Sequence, residues 1–457
     1  MRTPGRESRV TAQRRARPVS GVGEGSTSRH VAVSVVGNAF APLAALATAP
    51  IMAHGLGVAG RGDVAAATAP LLLAVSLGSF GIPSAVTYLL AKNTASRNLL
   101  ASRALLLVLL GGAGVAGLVV ALAGLLSGGE PPLRRLVLLA SCAILPTLFG
   151  AILQAVAAGE HRWRLVATER FVTAASRLAA LAALTVCGRL DATSAVVVLA
   201  AAPVAGALVY LPMILRPPGA LRRAGHSLGP ATVANDLISY GLRVWVGSIA
   251  GVLLLRLDQA LIGPLSGTDV LGVYVVAATI ADLPLVVNSA VRDVLFAAGS
   301  AEQRGDALAR AARVSTLLVG VVVMGVAIVL PWGLPMLFGD AFASAVPACW
   351  VLLGGLVVSN PGSVAGVALS SRGRPGLRSL ALGAACVVNI ALVFVLTPIF
   401  GAVGAAAATA AGSIAAGWLN LVLLCRISTH RLRDFTGARV ADLASIRSVA
   451  RTMIGRA

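Results

Sequence analysis

What constrains this chain most is a succession of about a dozen apolar runs, each of roughly 20 residues or more and each closed by a short polar break. They fall near residues 31–54, 64–91, 100–126, 133–158, 168–187, 193–215, 240–263, 270–297, 312–335, 343–369, 377–398 and 402–425. A helix rises about 1.5 Å per residue, so each run is long enough to cross a hydrocarbon layer of about 30 Å. The pattern predicts an all-α polytopic membrane protein of about 12 transmembrane helices. A transmembrane β-barrel is excluded, because its strands would be about 10 residues long and would alternate polar with apolar positions. Composition points the same way: 57% of residues are hydrophobic and 12% charged, and mean hydropathy is +0.89, too apolar for an ordinary soluble protein.

A net charge of +20 would suggest nucleic-acid binding in a soluble chain, but the position of the charges excludes that here. Of the 37 basic residues only Lys92 is lysine. Most of the arginines sit in the N-terminal tail, in turns after even-numbered runs or beyond the last run. Only Arg61, Arg134, Arg135 and Arg189 fall in turns after odd-numbered runs, while Arg177, Arg256 and Arg292 lie inside runs. By the positive-inside rule both termini face the cytoplasm and the number of crossings is even. Most of these cations serve topology and anionic lipid headgroups.

The longest internal break, RPPGALRRAGHSLGPATVAND at 216–236, is basic and rich in Pro and Gly. It divides the chain into a disordered basic cytoplasmic tail at 1–30, a first lobe of six helices at 31–215, a cytoplasmic linker at 216–239, a second lobe of six at 240–425, and a basic tail at 426–457. A basic helix lying on the inner leaflet is expected in the last stretch, DLASIRSVARTMIGRA. Faint echoes relate the lobes in parallel: RGDV at 61–64 answers GTDV at 267–270, and SAV at 84–86 answers SAV at 289–291. Prolines recur inside runs, at Pro42, Pro50, Pro83, Pro146, Pro203 and Pro284, where each removes one helical hydrogen bond and favours a kink.

External turns are all short, which leaves no room outside the membrane for a catalytic domain. The five cysteines stand singly, without a CxxC or metal-ligand spacing, and read as small core residues; the five histidines fall at run ends and loops. No catalytic residue, metal or cofactor is expected. No GxxxxGK[ST] occurs, so direct ATP use is not expected.

Four stretches then carry a resemblance. HGLGVAGRGDVAAATAPLLLAVSLGSFGIPSAVTYLLAKN at 54–93 resembles the first two helices of polysaccharide-export flippases of the multidrug/oligosaccharidyl-lipid/polysaccharide exporter superfamily. LLRLDQALIGPLSGTDVLGVYVVAATIADLP at 254–284 is similar to their helices seven and eight. LPMLFGDAFASAVPACWVLL at 334–353 and VVNIALVFVLTPIFGAVGAAAATAAGS at 387–413 are similar to later helices. The resemblance implies two six-helix lobes around a central cavity. It also implies that lipid-linked sugars, on a polyprenyl diphosphate, pass by alternating access across a bacterial cytoplasmic membrane with H+ or Na+ as coupling ion. Lipid II flippases of this superfamily carry a charged pair in helix one, which VAVSVVGNAFAPLAALATAPIMA lacks.

A charge at the bilayer centre costs about 2.5–3.5 kcal/mol on insertion scales, so each buried one needs a reason. Arg177, in the middle of run five, is the first candidate for holding the substrate diphosphate, against a structural salt bridge. Arg243 and Arg292 near the cytoplasmic boundary, Asn288 one turn from Arg292, and Asn38 in run one complete a cationic, polar cavity; snorkelling and backbone capping are the plainer alternatives. Asp282 beside Pro284 is the candidate for ion coupling, against an interhelical ion pair. In VLLLRLDQALIG, Arg256 and Asp258 lie roughly 10 and 8 Å from the external end, where they are expected to approach water and serve an outer gate or a structural ion pair.

Two rival functions remain open at this point. Cation-coupled multidrug efflux shares the architecture but predicts an acidic cavity. A membrane glycan ligase or polymerase predicts a long external loop with catalytic groups.

Overall fold

The structure, a computed structural model, describes the backbone of residues 24–92, 97–215, 230–285, 305–372, 374–428 and 431–437, and the side chains of 44–92, 97–213, 232–285, 308–372, 374–428 and 431–437. The described residues form helices joined by short turns, with no strand. Nine helices among them are long and apolar enough to cross a membrane. A further helix, Trp163–Val186, has the length for a crossing but carries Arg164, Glu169, Arg170 and Arg177.

Two of the nine are hairpins. The 52-residue helix Pro375–Arg426 is broken at Gly401 (φ 56°, ψ −133°). Asn389 hydrogen-bonds Thr409 across that break at 3.5 Å, although they stand 20 positions apart and a straight helix would separate them by about 30 Å. The helix Glu24–Gly78 is broken in the same way at Gly57 (φ 67°, ψ −169°). Unbroken, its 55 residues would extend about 80 Å, well over twice the hydrocarbon thickness. The spans are therefore one, 24–56; two, 58–91; three, Arg97–Leu126; four, Pro131–Gly159; five, Trp163–Val186; six, 192–215; seven, Pro230–Ser266; eight, Thr268–Leu285; nine, Gly305–Phe338; ten, Val346–Ser371; eleven, 375–400; and twelve, 402–426.

Their order matches the apolar runs. Two boundaries shift because hydropathy marks where a helix leaves the hydrocarbon, whereas its hydrogen bonds continue into water. Span one already begins at Glu24, inside the predicted tail, and span seven at Pro230, inside the predicted linker. The segments 1–23, 216–229, 286–304 and 438–457 lie outside the described residues. They contain the rest of both tails and of the linker, the second SAV echo and the basic C-terminal stretch.

The parallel repeat is written most clearly in backbone conformation. Glycines with positive φ stand in all three first-lobe turns that the charge pattern predicts to be outer, at Gly57, Gly129 and Gly188, and again in the second lobe, at Gly267, Gly339 and Gly401. Pairwise they are 210, 210 and 213 positions apart (267 less 57, 339 less 129, 401 less 188). A side chain disfavours these angles, so glycine is the residue that turns the chain tightly there. Several prolines adjoin interruptions, as expected. Span two breaks at Ser79–Gly81 just before Pro83, span four at Cys142–Ala143 before Pro146, span six passes into a 3-10 turn at Leu208–Tyr210 after Pro203, and span eight pauses at Asp282 before Pro284.

The lobes meet chiefly where span two packs on spans seven and eight. At the outer end the crossing has no space for a side chain. A Cβ on Gly62 would collide with the Thr268 carbonyl, and one on Gly272 with that of Val58. The echoed RGDV and GTDV segments thus touch each other across the pseudo-symmetry. Near the inner end Gly81 crosses Gly241 equally closely. Trp245 Nε1 donates to the Ser76 carbonyl at 3.3 Å, and the Tyr88 and Tyr240 rings stack with centroids 4.3 Å apart. One expectation about the core fails: Cys142 and Cys187 are exposed, because they end up at helix ends, whereas Cys349 and Cys386 are buried.

Candidate functional site

In the second lobe the polar side chains gather around Asp258. Although this residue lies close to the external end of span seven in sequence, it is only 1% exposed. Its Oδ2 accepts hydrogen bonds from the Tyr274 hydroxyl of span eight and from Thr409 Oγ1 of span twelve at 2.9 Å. Its Oδ1 accepts from the Gln259 backbone N–H at 2.7 Å. Neutral donors from three helices therefore hold this carboxylate. The expectation that Asp258 approaches water is corrected, since spans eight and twelve cover it; it does pair with other helices, through hydroxyls rather than a cation. Arg256 points elsewhere, as a separation of two positions on a helix requires. Its Nη1 lies 3.5 Å from Gln259 Oε1, and it stands within electrostatic reach of Asp258 and Asp282.

Beside this cluster spans seven, eight, ten, eleven and twelve enclose a cavity of about 250 Å³, with Asp282, Asn360, Arg378, Thr409 and Asn420 among its polar walls. Asp282 ends the first helical segment of span eight and is exposed toward this space. Leu254, Leu285, Leu352 and Leu382 supply much of the remaining wall. The cavity thus carries one acid and one base within an otherwise neutral lining.

The first lobe presents the opposite charge. Arg177 is half-buried in span five, and its Nε is buried without a hydrogen-bond partner among the described residues. Arg61 stands within electrostatic reach of it. By hydropathy Arg61 belonged to an external turn. In the fold it lies inside span two, 8% exposed, also with an unpartnered buried Nε. Two turns before Arg177 on span five, Glu169 accepts from Gln154 Nε2 at 2.9 Å and from Thr173 Oγ1 at 3.1 Å.

The residues expected to form a cationic cavity are not brought together among the described residues. Arg243 is exposed, and its Nε donates to the Ser239 carbonyl at 2.9 Å, one turn back. It precedes the end of span seven at Ser266 by 23 positions, about 35 Å, whereas Arg61 follows Gly57 by four. These cations belong to opposite ends of the membrane. Asn288 and Arg292 lie outside the described residues, as does the side chain of Asn38. Sequence reasoning missed Arg61, Tyr274, Thr409 and Asn389. A signal for Asn389 was present, since an amide within an apolar run had been reason enough to single out Asn38 and Asn288.

A family model described as polysaccharide biosynthesis protein matches residues 28–297. The probable low-salt glycan biosynthesis flippase Agl15 of Haloferax volcanii is 26% identical over 184 residues, so the match spans 39% of this chain and 39% of that relative's length. Among solved structures, an inward-facing multidrug resistance MATE family transporter of the MOP superfamily superposes with a TM-score of 0.67 at 14% identity, covering 86% of this chain and 96% of its own. The lipid II flippase MurJ in an inward closed conformation also gives 0.67 at 14%, covering 92% and 93%. A MOP superfamily transporter from Pyrococcus furiosus, described as having a binding pocket of reverse polarity, gives 0.59 at 14%, covering 90% and 96%. These likenesses place the chain in the two-lobe transporter fold.

Proposed function

We propose that this chain, which belongs to the polysaccharide biosynthesis protein family, translocates lipid-linked oligosaccharide or polysaccharide precursors across the cytoplasmic membrane by alternating access. The family match over more than half of the chain carries the reading, and the multi-pass two-lobe architecture supports it. It is a transporter rather than an enzyme, with both termini in the cytoplasm and anionic lipids around its basic inner surface. The substrate is a glycan on a polyprenyl diphosphate. Arg177 binds the diphosphate, since its buried Nε lacks an acceptor and a guanidinium fork matches phosphate oxygens. Arg243, Arg292, Asn288 and Asn38 contact the substrate along its route, with Arg243 at the inner mouth.

Asp282 couples transport to H+ or Na+. It borders the second-lobe cavity with Arg256 and Asp258 nearby, so an ion bound there changes the charge balance that packs span eight against span seven. Asp282→Asn should abolish the dependence of transport on the ion gradient.

The deciding experiment is deletion of the gene followed by analysis of lipid-linked glycans. Accumulation of a complete glycan on its carrier at the inner leaflet, reversed by the wild-type gene, is expected. An unchanged glycan profile, with increased sensitivity to cationic drugs instead, would move the reading to multidrug efflux.

A further inference from the structure

The two first-lobe arginines are not matched by acids. Neither forms an ion pair among the described residues. Within the crossings of this lobe the sequence offers only Asp63 and Glu169 as acids besides Glu24 at the start of span one, which has none from residue 31 to residue 56. Asp63 follows Arg61 by two positions and so points about 200° away, toward Thr268 of the other lobe. Glu169 is taken by Gln154 and Thr173, and it precedes Arg177 by eight positions, about 12 Å along the helix.

Burying one cation without a partner is costly, and placing two within mutual repulsion is costlier still. The fold nevertheless holds both, each with a buried Nε that meets no acceptor among the described residues. Their surroundings indicate where an acceptor would enter. On span two, Gly62, Ala66, Ala69 and Leu73 share the face sealed against spans seven and eight. Arg61 lies on a different face with Ala65, Thr68 and Leu72. On that face Ala65 is 4% exposed and Leu72, 11 positions beyond Arg61, is 47% exposed, so the face opens about 16 Å along the helix from Arg61. Depth is fixed by the helices: Arg61 is four positions past Gly57, about 6 Å, and Arg177 is nine positions before Val186, about 14 Å.

We propose that Arg61 and Arg177 together form a binding site for one phosphate or diphosphate group in the outer half of the first lobe. This proposal rests on the flippase reading given above and adds to it a second arginine and a depth. An anion bridging two guanidiniums removes their repulsion and satisfies both Nε donors at once, and bidentate forks suit its tetrahedral oxygens. The site is far from Arg243 at the inner mouth, so the pair receives the headgroup late in its passage. The same chemistry could be offered by the diphosphate of a glycan carrier or by the headgroup of an anionic phospholipid.

The test uses the full-length protein purified in detergent, with Arg61→Gln, Arg177→Gln, the double variant and Arg61→Lys. Inorganic pyrophosphate is titrated calorimetrically. Each Gln variant should bind at least about tenfold more weakly, the double variant should lose less than the product of the two single losses because the anion needs both forks, and Arg61→Lys should recover part of the affinity. In the absence of pyrophosphate the Gln variants should melt no lower than wild type, since neutralising one cation relieves repulsion. A purely structural role for Arg61 would instead lower the melting temperature and leave affinity unchanged, which overturns the proposal, as does wild-type affinity in Arg61→Gln at any stability. Competition between a polyprenyl diphosphate and phosphatidylglycerol in native mass spectrometry identifies the source. Preference for the phospholipid keeps the site and removes its link to the glycan carrier. The deletion phenotype is read separately, so the flippase reading can fail while the anion site stands, and the reverse.

Discussion

Tyr88 of span two stacks on Tyr240 of span seven, ring centroids 4.3 Å apart and planes 13° from parallel, and Lys92 Nζ lies over the Tyr88 ring at 4.6 Å. On span seven Tyr240 lies five positions, about 7.5 Å, from Trp245, which donates to the Ser76 carbonyl and meets the Phe80 ring at 5.6 Å. On the function proposed above, the lobes part here to admit substrate.

Joining the pair should therefore stop transport. In a protein whose five cysteines are first replaced, Tyr88→Cys with Tyr240→Cys should form a disulfide on mild oxidation, and glycan export should fall to the level of a deletion strain and return on reduction. Export that continues through the cross-link would show that the route does not open between these spans. Tyr88→Ala alone removes an aromatic pair worth about 0.5–1.5 kcal/mol beyond its buried area, so it should ease opening rather than block it.

At the outer end the Gly62–Gly272 crossing sets the opposite constraint. Gly62→Val must push span two away from the Thr268 carbonyl, a strain of about 1–3 kcal/mol by analogy with overpacked cores. The expected result is a lower melting temperature together with faster labelling of a cysteine at Ser266 by an impermeant maleimide. Equal labelling in both backgrounds would place the outer closure elsewhere.

Around Asp258 the ordering of variants is the measurement. Asp258→Ala removes the acceptor that the Tyr274 and Thr409 hydroxyls share; these stand 2.9 Å apart, so one can donate to the other, and the one left without an acceptor costs about 1–3 kcal/mol. Tyr274→Phe leaves the carboxylate with Thr409 and the Gln259 amide and should cost less. Thermal unfolding in detergent that reverses this order would mean that the tyrosine, not the acid, anchors the cluster.

Asp191 gives a pH-dependent prediction. It caps the first helix of span six, accepting from the Ser194 backbone N–H at 2.9 Å, while the Ser194 hydroxyl accepts from the Asp191 N–H at 2.9 Å. These bonds hold its carboxyl below the ordinary value of 3.8. A depressed folded-state pKa means that the stabilisation is complete above 3.8 and disappears as pH falls through the lower folded value. Asp191→Ala should therefore cost roughly 0.5 kcal/mol at neutral pH, at the low end for a cap because the site is exposed, and nothing once the wild-type carboxyl is protonated. A cost that persists in strong acid would assign the effect to something other than the charged cap.

Much of the fold was legible in the sequence, and much of the site was not, for reasons that particular residues make plain. The paired echoes RGDV and GTDV pointed to a repeat, and in the fold they lie against each other at Gly62 and Thr268. Arg256 and Asp258 were conspicuous as charges in an apolar run, yet their proximity to a run end suggested water, and tertiary packing buried the acid instead. Arg61 was inconspicuous for the converse reason: a charge beside a glycine turn looks solvated until another helix covers it.

By itself the sequence determined how often the chain crosses the membrane and in what order, because lipid offers backbone amides no partners and so forces helices of a minimum length. It also determined where the outer turns fall, through glycines that alone accept their backbone angles easily. Only the tertiary structure decided which charges meet. Arg61 and Arg177 are 116 positions apart (177 less 61), and Asp258 and Thr409 151. Their encounters depend on the rotation of each helix about its axis and on the crossings of neighbouring spans. Hydropathy is blind to that rotation, since lipid and apolar core look alike to it.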